Sequence, residues 1–210
     1  MMVTGTNATG KTSLVRTLAG LWPVRSGSIT CSFDTLPSTS SSHKPRPQLL
    51  VLPQRIFMTL GSLSDQVTYP ASIAKHERTA AMESHLQQLL DLVGIGYLVK
   101  RWAGDSADVD YDPGEHQGWD HVATWEDVLS LGEQQRLSIA RVFYHKPRVC
   151  CLDECTSAVS IDQERQLFAS AKELNITLIT VSQRLSLPEH HTAELQLGQP
   201  NEDGFRLVQI

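Results

Sequence analysis

One segment near the start of the chain limits the possible folds more than any other feature. It reads Gly5-Thr6-Asn7-Ala8-Thr9-Gly10-Lys11-Thr12 and matches the pattern G-x-x-x-x-G-K-[ST] without a mismatch. The apolar residues Met1–Thr4 before it predict the end of a strand, and Lys11–Ala19 predict a helix. In this order the loop's backbone N–H groups and the helix N-terminus bind phosphate. The segment therefore predicts a P-loop in an α/β fold rather than a chance glycine-rich turn.

Each residue type in this loop has a defined chemical task. Glycines let the backbone wrap a phosphate without side-chain clashes. Lys11 is expected to reach the outer phosphates, and the Thr12 hydroxyl is expected to bind Mg²⁺. The predicted ATP contacts of the loop are Gly5, Thr6, Asn7, Ala8, Thr9, Gly10, Lys11, Thr12 and Ser13.

An acidic pair far downstream supplies the second half of such a site. The apolar run Val149–Leu152 predicts a strand that is buried on both faces of a parallel sheet. This strand is expected to deliver Asp153 to the carboxyl edge of the sheet, where it can orient Mg²⁺. Glu154, one residue further, is the expected general base for the attacking water. An acidic pair after a strand is a weak signal alone, but together with a P-loop it indicates an ATPase.

The remaining pattern alternates between strands and helices, which favours an α/β fold with a largely parallel sheet. Ser130 and Glu133 have the spacing of a capping box at a helix start. Polar stretches at Ser38–Ser42 and Gly104–Gly118 predict surface loops. The other predicted elements are strands at Leu49–Leu52 and Ile176–Val181, helices at Glu77–Val93, Gln134–Tyr144 and Asp162–Leu174, and two short strands within Glu194–Ile210 around a turn at Asp203-Gly204.

Composition narrows the class of protein. The formal net charge is -5, which gives no reason to expect a nucleic-acid partner. The four cysteines show no zinc spacing, so reduced thiols in a domain that faces the cytosol are expected. No apolar run approaches the roughly 20 residues that cross a bilayer, and no signal peptide is recognisable.

Three further motifs resemble one branch of the P-loop ATPases. Leu129–Arg136, which reads LSLGEQQR, is similar to the signature of ABC transporters, usually LSGGQ. Leu52-Pro53-Gln54 resembles the Q-loop of that family, and Thr156-Ser157-Ala158-Val159 resembles its D-loop. With the P-loop and the acidic pair, these motifs identify the chain as a member of the ATP-binding cassettes of ABC transporters.

Neighbouring residues resemble the peroxisomal subfamily D of these transporters, over Gly5 to about His191. Leu131 and Ser182-Gln183-Arg184 look like plant and algal members, in the second cassette of a fused transporter. The resemblance implies one cassette over residues 1–210, with a helical subdomain and signature helix at about 62–145. Cassettes normally carry strands before the P-loop, so the N-terminal strands are expected to be truncated. The segments that carry the likeness are Gly20–Pro23, Val67–Pro70, Ala140–Pro147 and Leu152–Asp162.

The resemblance also implies partners and site residues. Two cassettes would meet head to tail, with each ATP between the P-loop of one and the signature of the other, and closure would drive an attached transmembrane domain. The implied substrate is a long-chain fatty acid or its CoA ester, moved through the peroxisomal membrane with the cassette facing the cytosol. Beyond the loop, the implied ATP contacts are Gln54, Ser130, Gly132 and Glu133, the Mg²⁺ ligands are Thr12, Gln54 and Asp153, and the catalytic residues are Glu154 and Gln183.

Three positions depart from the usual pattern of the family. Gln183 stands where a switch histidine is usual, and an amide cannot become cationic, so slower hydrolysis is expected. Leu131 replaces the first signature glycine, and Ser160 replaces the usual aspartate after the D-loop, as in subfamily D. Two alternatives therefore stay open. One is a regulatory cassette that binds ATP but hydrolyses it poorly, and the other is a soluble ABC ATPase outside transport.

Overall fold

The computed structural model describes residues 1–30, 48–103, 118–184, 187–200 and 204–210. The predicted loop at Ser38–Ser42, nearly all of the one at Gly104–Gly118, Cys31 and Asp203 lie outside these ranges. The chain divides into two compact units. The first comprises Met1–Gln54, Lys146–Glu154 and Asn175–Ile210, and the second comprises Arg55–His145 and Cys155–Leu174.

The first unit is built on a six-stranded sheet with the order β2-β3-β4-β1-β5-β6. Neighbouring strands are parallel except for β5 and β6, which form an antiparallel pair. Helix α1 follows β1, and a short 3₁₀ turn at Pro188–His190 precedes β5. The elements are β1 Met2–Thr4, α1 Lys11–Leu18, β2 Leu49–Leu52, β3 Val149–Asp153, β4 Thr177–Val181, β5 Ala193–Leu197 and β6 Phe205–Gln209.

The core of this unit lies between α1 and the central strands. Val3, Val15, Cys151 and Val181 form one buried cluster. The adjacent Cys150 and Cys151 are both fully buried, although their side chains point to opposite faces of the sheet. This confirms the prediction that β3 is covered on both faces. The predicted final pair of strands is also present, and Gly204, directly before the return strand, has a φ of +71°.

The second unit consists of helices. Helix α6 packs against α2 and α3 and contributes a buried stripe that includes Leu137, Ala140 and Phe143. Short 3₁₀ turns lie at Lys75–Glu77 and Gly118–Asp120. The helices are α2 Leu63–Thr68, α3 Ala80–Leu92, α4 Tyr97–Arg101, α5 Trp125–Val128, α6 Leu131–His145 and α7 Ile161–Glu173.

Helix starts differ from the sequence-based expectations, and caps explain the differences. The helix predicted from Glu77 begins at Ala80, because the Thr79 hydroxyl accepts a bond from the Met82 N–H and fixes the first turn there. The helix predicted from Gln134 begins at Leu131, directly after the Ser130 cap. Helix α2 was not predicted, although Ser62 and Asp65 form a capping box that the sequence shows.

Candidate nucleotide-binding site

The predicted residues of the first unit follow four neighbouring parallel strands at one edge of the sheet. The P-loop follows β1, Gln54 follows β2, the acidic pair ends β3 and Gln183 follows β4. The carboxyl ends of parallel strands meet at the same edge, where α/β sheets bind their ligands. The order β2-β3-β4-β1 therefore brings together residues that are far apart in sequence.

Lys11 lies at the base of the P-loop and is 8% exposed. Its Nζ donates to the carbonyl oxygens of Gly5 and Thr6, each at 2.8 Å. Within the residues that the structure describes, it has no carboxylate partner. The two acceptors of Lys11 are therefore neutral carbonyl groups. This arrangement fits an anionic ligand such as a phosphate.

The backbone of the loop is shaped for close approach. Gly10 caps α1 with a φ of +94°, and Ala8 has a φ of +65° that few non-glycine residues adopt. A Cβ on Gly5 would lie 2.7 Å from Thr9 Oγ1 and 2.8 Å from the Leu197 carbonyl oxygen. Glycine is therefore required at position 5, because no side chain fits there.

The end of β5 also borders the P-loop, which the sequence analysis missed. A Cβ on Gly198 would lie 2.5 Å from Thr9 Cγ2, so the two segments are in close contact. Strand β5 pairs with β1 in parallel, and its carboxyl end therefore reaches the same edge. A glycine directly after a predicted strand was the available signal for this close approach.

Glu154 of the acidic pair is hydrogen-bonded to Gln54. Gln54 Nε2 donates to Glu154 Oε2 at 2.9 Å. Asp153 is 4% exposed, and the Glu154 N–H donates to the Val181 carbonyl oxygen of β4 at 3.0 Å. Glu154 has a φ of +52°, a conformation that is uncommon for a non-glycine residue and concentrates at functional sites. The structure thus brings Gln54 and the predicted general base within hydrogen-bond distance.

Gln183 is bonded to the P-loop itself. Its Nε2 donates to Asn7 Oδ1 at 3.2 Å, which joins the segment after β4 to the loop after β1. The amide that replaces the usual histidine therefore lies beside a predicted phosphate contact. Its donor group can bind an oxygen of a ligand there without a change of charge.

The signature segment lies in the second unit and begins α6. The Ser130 N–H and hydroxyl both donate to Glu133 Oε2 at 2.8 Å, and the Glu133 N–H returns a 3.3 Å bond to the hydroxyl. This confirms the predicted capping box. The other oxygen of Glu133 accepts from the Tyr97 hydroxyl at 2.7 Å and pairs with Arg101 at 2.9 Å. The predicted ATP contact Glu133 is thus a buried carboxylate that holds Ser130 in place.

These bonds shift two acid–base equilibria. Burial alone would raise the pKa of Glu133, but the hydrogen bonds from Tyr97 and Ser130 and the charge of Arg101 outweigh burial, and its pKa is lowered. Burial and the adjacent carboxylate raise the pKa of Tyr97. Glu133 is therefore a carboxylate at neutral pH and serves as an acceptor only.

Leu131, Gly132 and Ser160 lie at or near the signature and the D-loop, and each has a different environment. The Leu131 side chain is 56% exposed at the first residue of α6, so it projects from the surface that carries Ser130. Gly132 lies close to the D-loop, because a Cβ there would be 3.2 Å from the Ala158 carbonyl oxygen. Ser160 caps α7 by accepting from the Gln163 N–H at 3.4 Å. A serine at this position therefore starts the following helix.

Comparison with known proteins decides the family. A sequence profile described as ABC transporter matches residues 1–157 of the 210. The chain belongs to the ABC transporter family. A solved bacterial Atm1-family ABC exporter with ATP bound superposes with a TM-score of 0.68 at 21% identity, over 93% of this chain and 31% of that one. That likeness confirms the predicted α/β fold and supports no finer conclusion.

Curated relatives of this ABC transporter cassette belong to subfamily D, which confirms the predicted resemblance. ABC transporter D family member 1 of Arabidopsis thaliana is 38% identical over 94% of this chain and 15% of its own length. ATP-binding cassette sub-family D member 3 of Homo sapiens is 40% identical over 100% of this chain and 28% of its own. The lysosomal cobalamin transporter ABCD4 of Homo sapiens is 37% identical over 94% and 29%. The chain thus spans less than a third of these relatives.

The predicted magnesium ligands can be compared with the way in which proteins bind this ion beside a nucleotide. Among the described residues no group of three His, Cys, Asp or Glu side chains could hold a metal. Mg²⁺ in nucleotide sites takes one or two protein ligands and completes its shell with phosphate oxygens and water. The predicted ligands Thr12, Gln54 and Asp153 supply one hydroxyl, one amide and one carboxylate, which agrees with that mode.

No described helix combines the length and apolar content that crossing a bilayer requires.

Proposed function

We propose that this chain binds MgATP and hydrolyses it as the cassette of a subfamily D transporter. One observation carries the proposal. Four successive parallel strands deliver the P-loop, Gln54, the acidic pair and Gln183 to one edge, where two side-chain hydrogen bonds link them in pairs. Family membership supports the ATP-binding part. The position of the Glu154 carboxylate, on the same edge as Lys11, supports hydrolysis.

Lys11, Glu154 and Gln183 would have different roles in binding and hydrolysing ATP. Lys11 would exchange its bonds to two loop carbonyls for bonds to the outer phosphates. Glu154 would take a proton from water as the water oxygen bonds to the γ-phosphorus. The bond from that phosphorus to the β–γ bridging oxygen breaks, and ADP and phosphate leave. Gln183 would donate from Nε2 to a γ-phosphate oxygen.

Thr12, Gln54 and Asp153 are the residues that would hold Mg²⁺ beside the phosphates. The ion, when bound, neutralises phosphate charge. Asp153 would contribute the single carboxylate. It is 4% exposed at the carboxyl end of β3.

The proposed cassette would work with two partners, a second cassette and a transmembrane domain. A second cassette would complete each ATP site with its signature, and here Ser130, Gly132 and Glu133 would serve the partner's ATP at the N-terminus of α6. The helical subdomain, at about residues 62–145, would belong to the second unit. A transmembrane domain outside this chain would be driven by closure of the two cassettes.

We further propose that the transporter moves long-chain fatty acids or their CoA esters through the peroxisomal membrane, with the cassette on the cytosolic side. The similarity to subfamily D supports this proposal. A relative named as a lysosomal cobalamin transporter is nearly as similar, at 37% identity. The substrate therefore has to be determined with the whole transporter, by uptake of labelled acyl-CoA and of labelled cobalamin into vesicles.

ATP binding and hydrolysis can be tested separately. Lys11→Ala should weaken binding of a fluorescent ATP analogue by roughly 100-fold, because about two charge-assisted bonds are lost. Lys172→Ala, on the exposed face of α7, is the matched control and should bind as the wild type does. Equal affinity in both variants would disprove the assigned role of Lys11.

Hydrolysis is measured in the assembled transporter that carries this cassette. Glu154→Gln should leave ATP affinity within about threefold and lower turnover by at least roughly 100-fold. Glu173→Gln, at the exposed end of α7, is the control. Turnover that survives Glu154→Gln would remove Glu154 from the role of general base.

A second candidate function has support from two observations. Leu131 is 56% exposed at the signature, and Gln183 cannot become cationic. Both favour a regulatory cassette that binds ATP and hydrolyses it poorly. In transporters with one intact and one altered cassette, Glu154→Gln here would then leave total turnover unchanged, whereas a hydrolysing cassette would lose its share.

A further inference from the structure

Gln135 is a buried amide whose role the signature motif does not explain. It lies one turn into α6 and is 2% exposed. Its Nε2 donates to Ser157 Oγ at 2.9 Å, and its Oε1 accepts from the Ala158 N–H at 2.8 Å. Both polar ends of one side chain are therefore committed to two consecutive residues of the D-loop, Thr156–Val159.

The D-loop is anchored on both sides of these two residues. Thr156 and Val159 are each 3% exposed and are joined by a 3.0 Å bond from the Val159 N–H to the Thr156 carbonyl oxygen. Ser157 and Ala158 are exposed between them. The two bonds from the buried Gln135 amide therefore hold the exposed tip in its orientation.

The D-loop also lies close to the start of α6, the helix that carries the signature. Gly132 lies so close to the Ala158 carbonyl oxygen that a Cβ would come within 3.2 Å of it. Ser130 and Leu131 are exposed just before Gly132. Ser130, Leu131, Ser157 and Ala158 therefore form one continuous exposed face, called here the signature face.

We propose that Gln135 is a positioning residue that fixes the D-loop to α6, so that the signature face acts as one rigid surface. This inference rests on the proposed function, in which that face meets the nucleotide and P-loop of a second cassette. Gln135 touches no reacting atom. It acts by holding Ser157 and Ala158 in register with Ser130, because a displacement of about 1 Å at a catalytic surface can cost roughly 100-fold in rate.

The neutral amide of Gln135 is suited to holding the D-loop. A glutamine offers a donor and an acceptor on one planar group, which matches a hydroxyl and a backbone N–H at adjacent residues. Leucine has a similar size and removes both bonds, whereas glutamate keeps an acceptor for the Ala158 N–H. The adjacent Gln134 supplies a matched control. Its Nε2 donates to the carbonyl oxygens of Glu126 and Leu129, which lie outside the D-loop.

The first measurement is amide hydrogen exchange in this chain, at the Ala158 N–H. Gln135→Leu should speed exchange of that amide roughly tenfold, because a hydrogen bond of about 1.4 kcal/mol protects it. Gln135→Glu should keep the rate within about twofold of the wild type. Gln134→Leu should leave Ala158 unchanged. An unchanged rate in Gln135→Leu, or an equal increase in both leucine variants, would overturn the proposal.

The second measurement separates binding from turnover in the assembled transporter. Gln135→Leu should leave binding of a fluorescent ATP analogue to this chain unchanged, because the P-loop is intact, and should lower kcat about tenfold or more. Gln135→Glu should recover most of the turnover. Equal losses with Gln134→Leu would show a general loosening of α6 and refute a specific role. If the wild-type transporter does not hydrolyse ATP, the proposed function fails, while the exchange result still decides whether Gln135 fixes the D-loop.

Discussion

The carboxylate of Glu133 offers the sharpest test of the energetics around the signature. Four groups bind it: the Ser130 N–H and hydroxyl at Oε2, and Tyr97 and Arg101 at Oε1. Glu133→Gln keeps the shape of the side chain but replaces one oxygen with NH₂. Whichever way the amide turns, two donors then face a donor group instead of an acceptor.

The expected cost can be worked out from these contacts. A hydrogen bond to a charged group contributes about 1.5–3 kcal/mol, and the variant weakens or loses at least one. The Arg101 ion pair contributes at most about 1 kcal/mol, because its side chain is 40% exposed. Tyr97 can reorient its hydroxyl and accept from the new NH₂, which recovers part of the loss. We expect the free energy of unfolding to fall by about 2 kcal/mol at pH 7.

The measurement is urea unfolding followed by tryptophan fluorescence. Three of the four tryptophans, Trp102, Trp119 and Trp125, lie in the second unit, so the signal mainly reports the unit that contains Glu133. Glu126→Gln, at an exposed position in the preceding helix, is the matched control and should change the free energy by less than about 0.5 kcal/mol.

The pH dependence gives an independent check. The pKa of Glu133 is lowered in the folded chain, so its contribution is present above its ordinary value of 4.5 and is lost as pH falls through the folded value. The difference between wild type and Glu133→Gln should therefore shrink between pH 5 and pH 3. The pKa of Tyr97 is raised, so its part is present below 10 and is lost as pH rises through its folded value. A difference at pH 7 below about 0.5 kcal/mol, or one that is equal at pH 3 and pH 7, would refute this reasoning.

Two other predictions concern Gln183 and the cysteines. Gln183→His should raise ATP turnover of the assembled transporter and make it depend on pH near 6–7, where imidazole titrates; unchanged or lower turnover would count against the effect assigned to the amide. In a Cys31→Ser background, Cys150, Cys151 and Cys155 should react with a disulfide reagent at pH 7.5 only after urea denaturation. All three are buried, and burial together with Asp153 raises the pKa of Cys151 to about 11. Rapid labelling without urea would disprove their burial.

Local rules predicted the parts of the site that are encoded within a few residues. The P-loop pattern identified the turn between β1 and α1, and the spacing of Ser130 and Glu133 identified a capping box. Alternation of strands and helices identified the parallel sheet. The P-loop and capping-box signals each span only a few residues, so one sequence is enough to recognise them.

Contacts between distant segments could not be predicted in the same way. The bond from Tyr97 to Glu133 depends on how two helices pack, and the contact of Gly198 with Thr9 depends on β5 pairing with β1. No short motif in the sequence shows the order of the strands in the sheet or the way in which the helices cross. The start of α3 was predicted at Glu77 instead of Ala80, because hydrophobic periodicity does not show which hydroxyl caps a helix. The start of α6 was predicted at Gln134 instead of Leu131, although the capping box at Ser130 already indicates the earlier start.

The hydrogen bonds already present at the sheet edge limit how much each side chain can add to the affinity for ATP. Lys11 already donates to two carbonyls, Gln54 already donates to Glu154, and Gln183 already donates to Asn7. A nucleotide that uses these groups exchanges existing bonds for new ones, so only the difference adds to affinity. The exchange is most favourable at Lys11, because phosphate is charged and a carbonyl is not. It is least favourable at Gln54, whose present acceptor is already a carboxylate. Lys11 should therefore contribute most to ATP affinity, and Gln54 should contribute least.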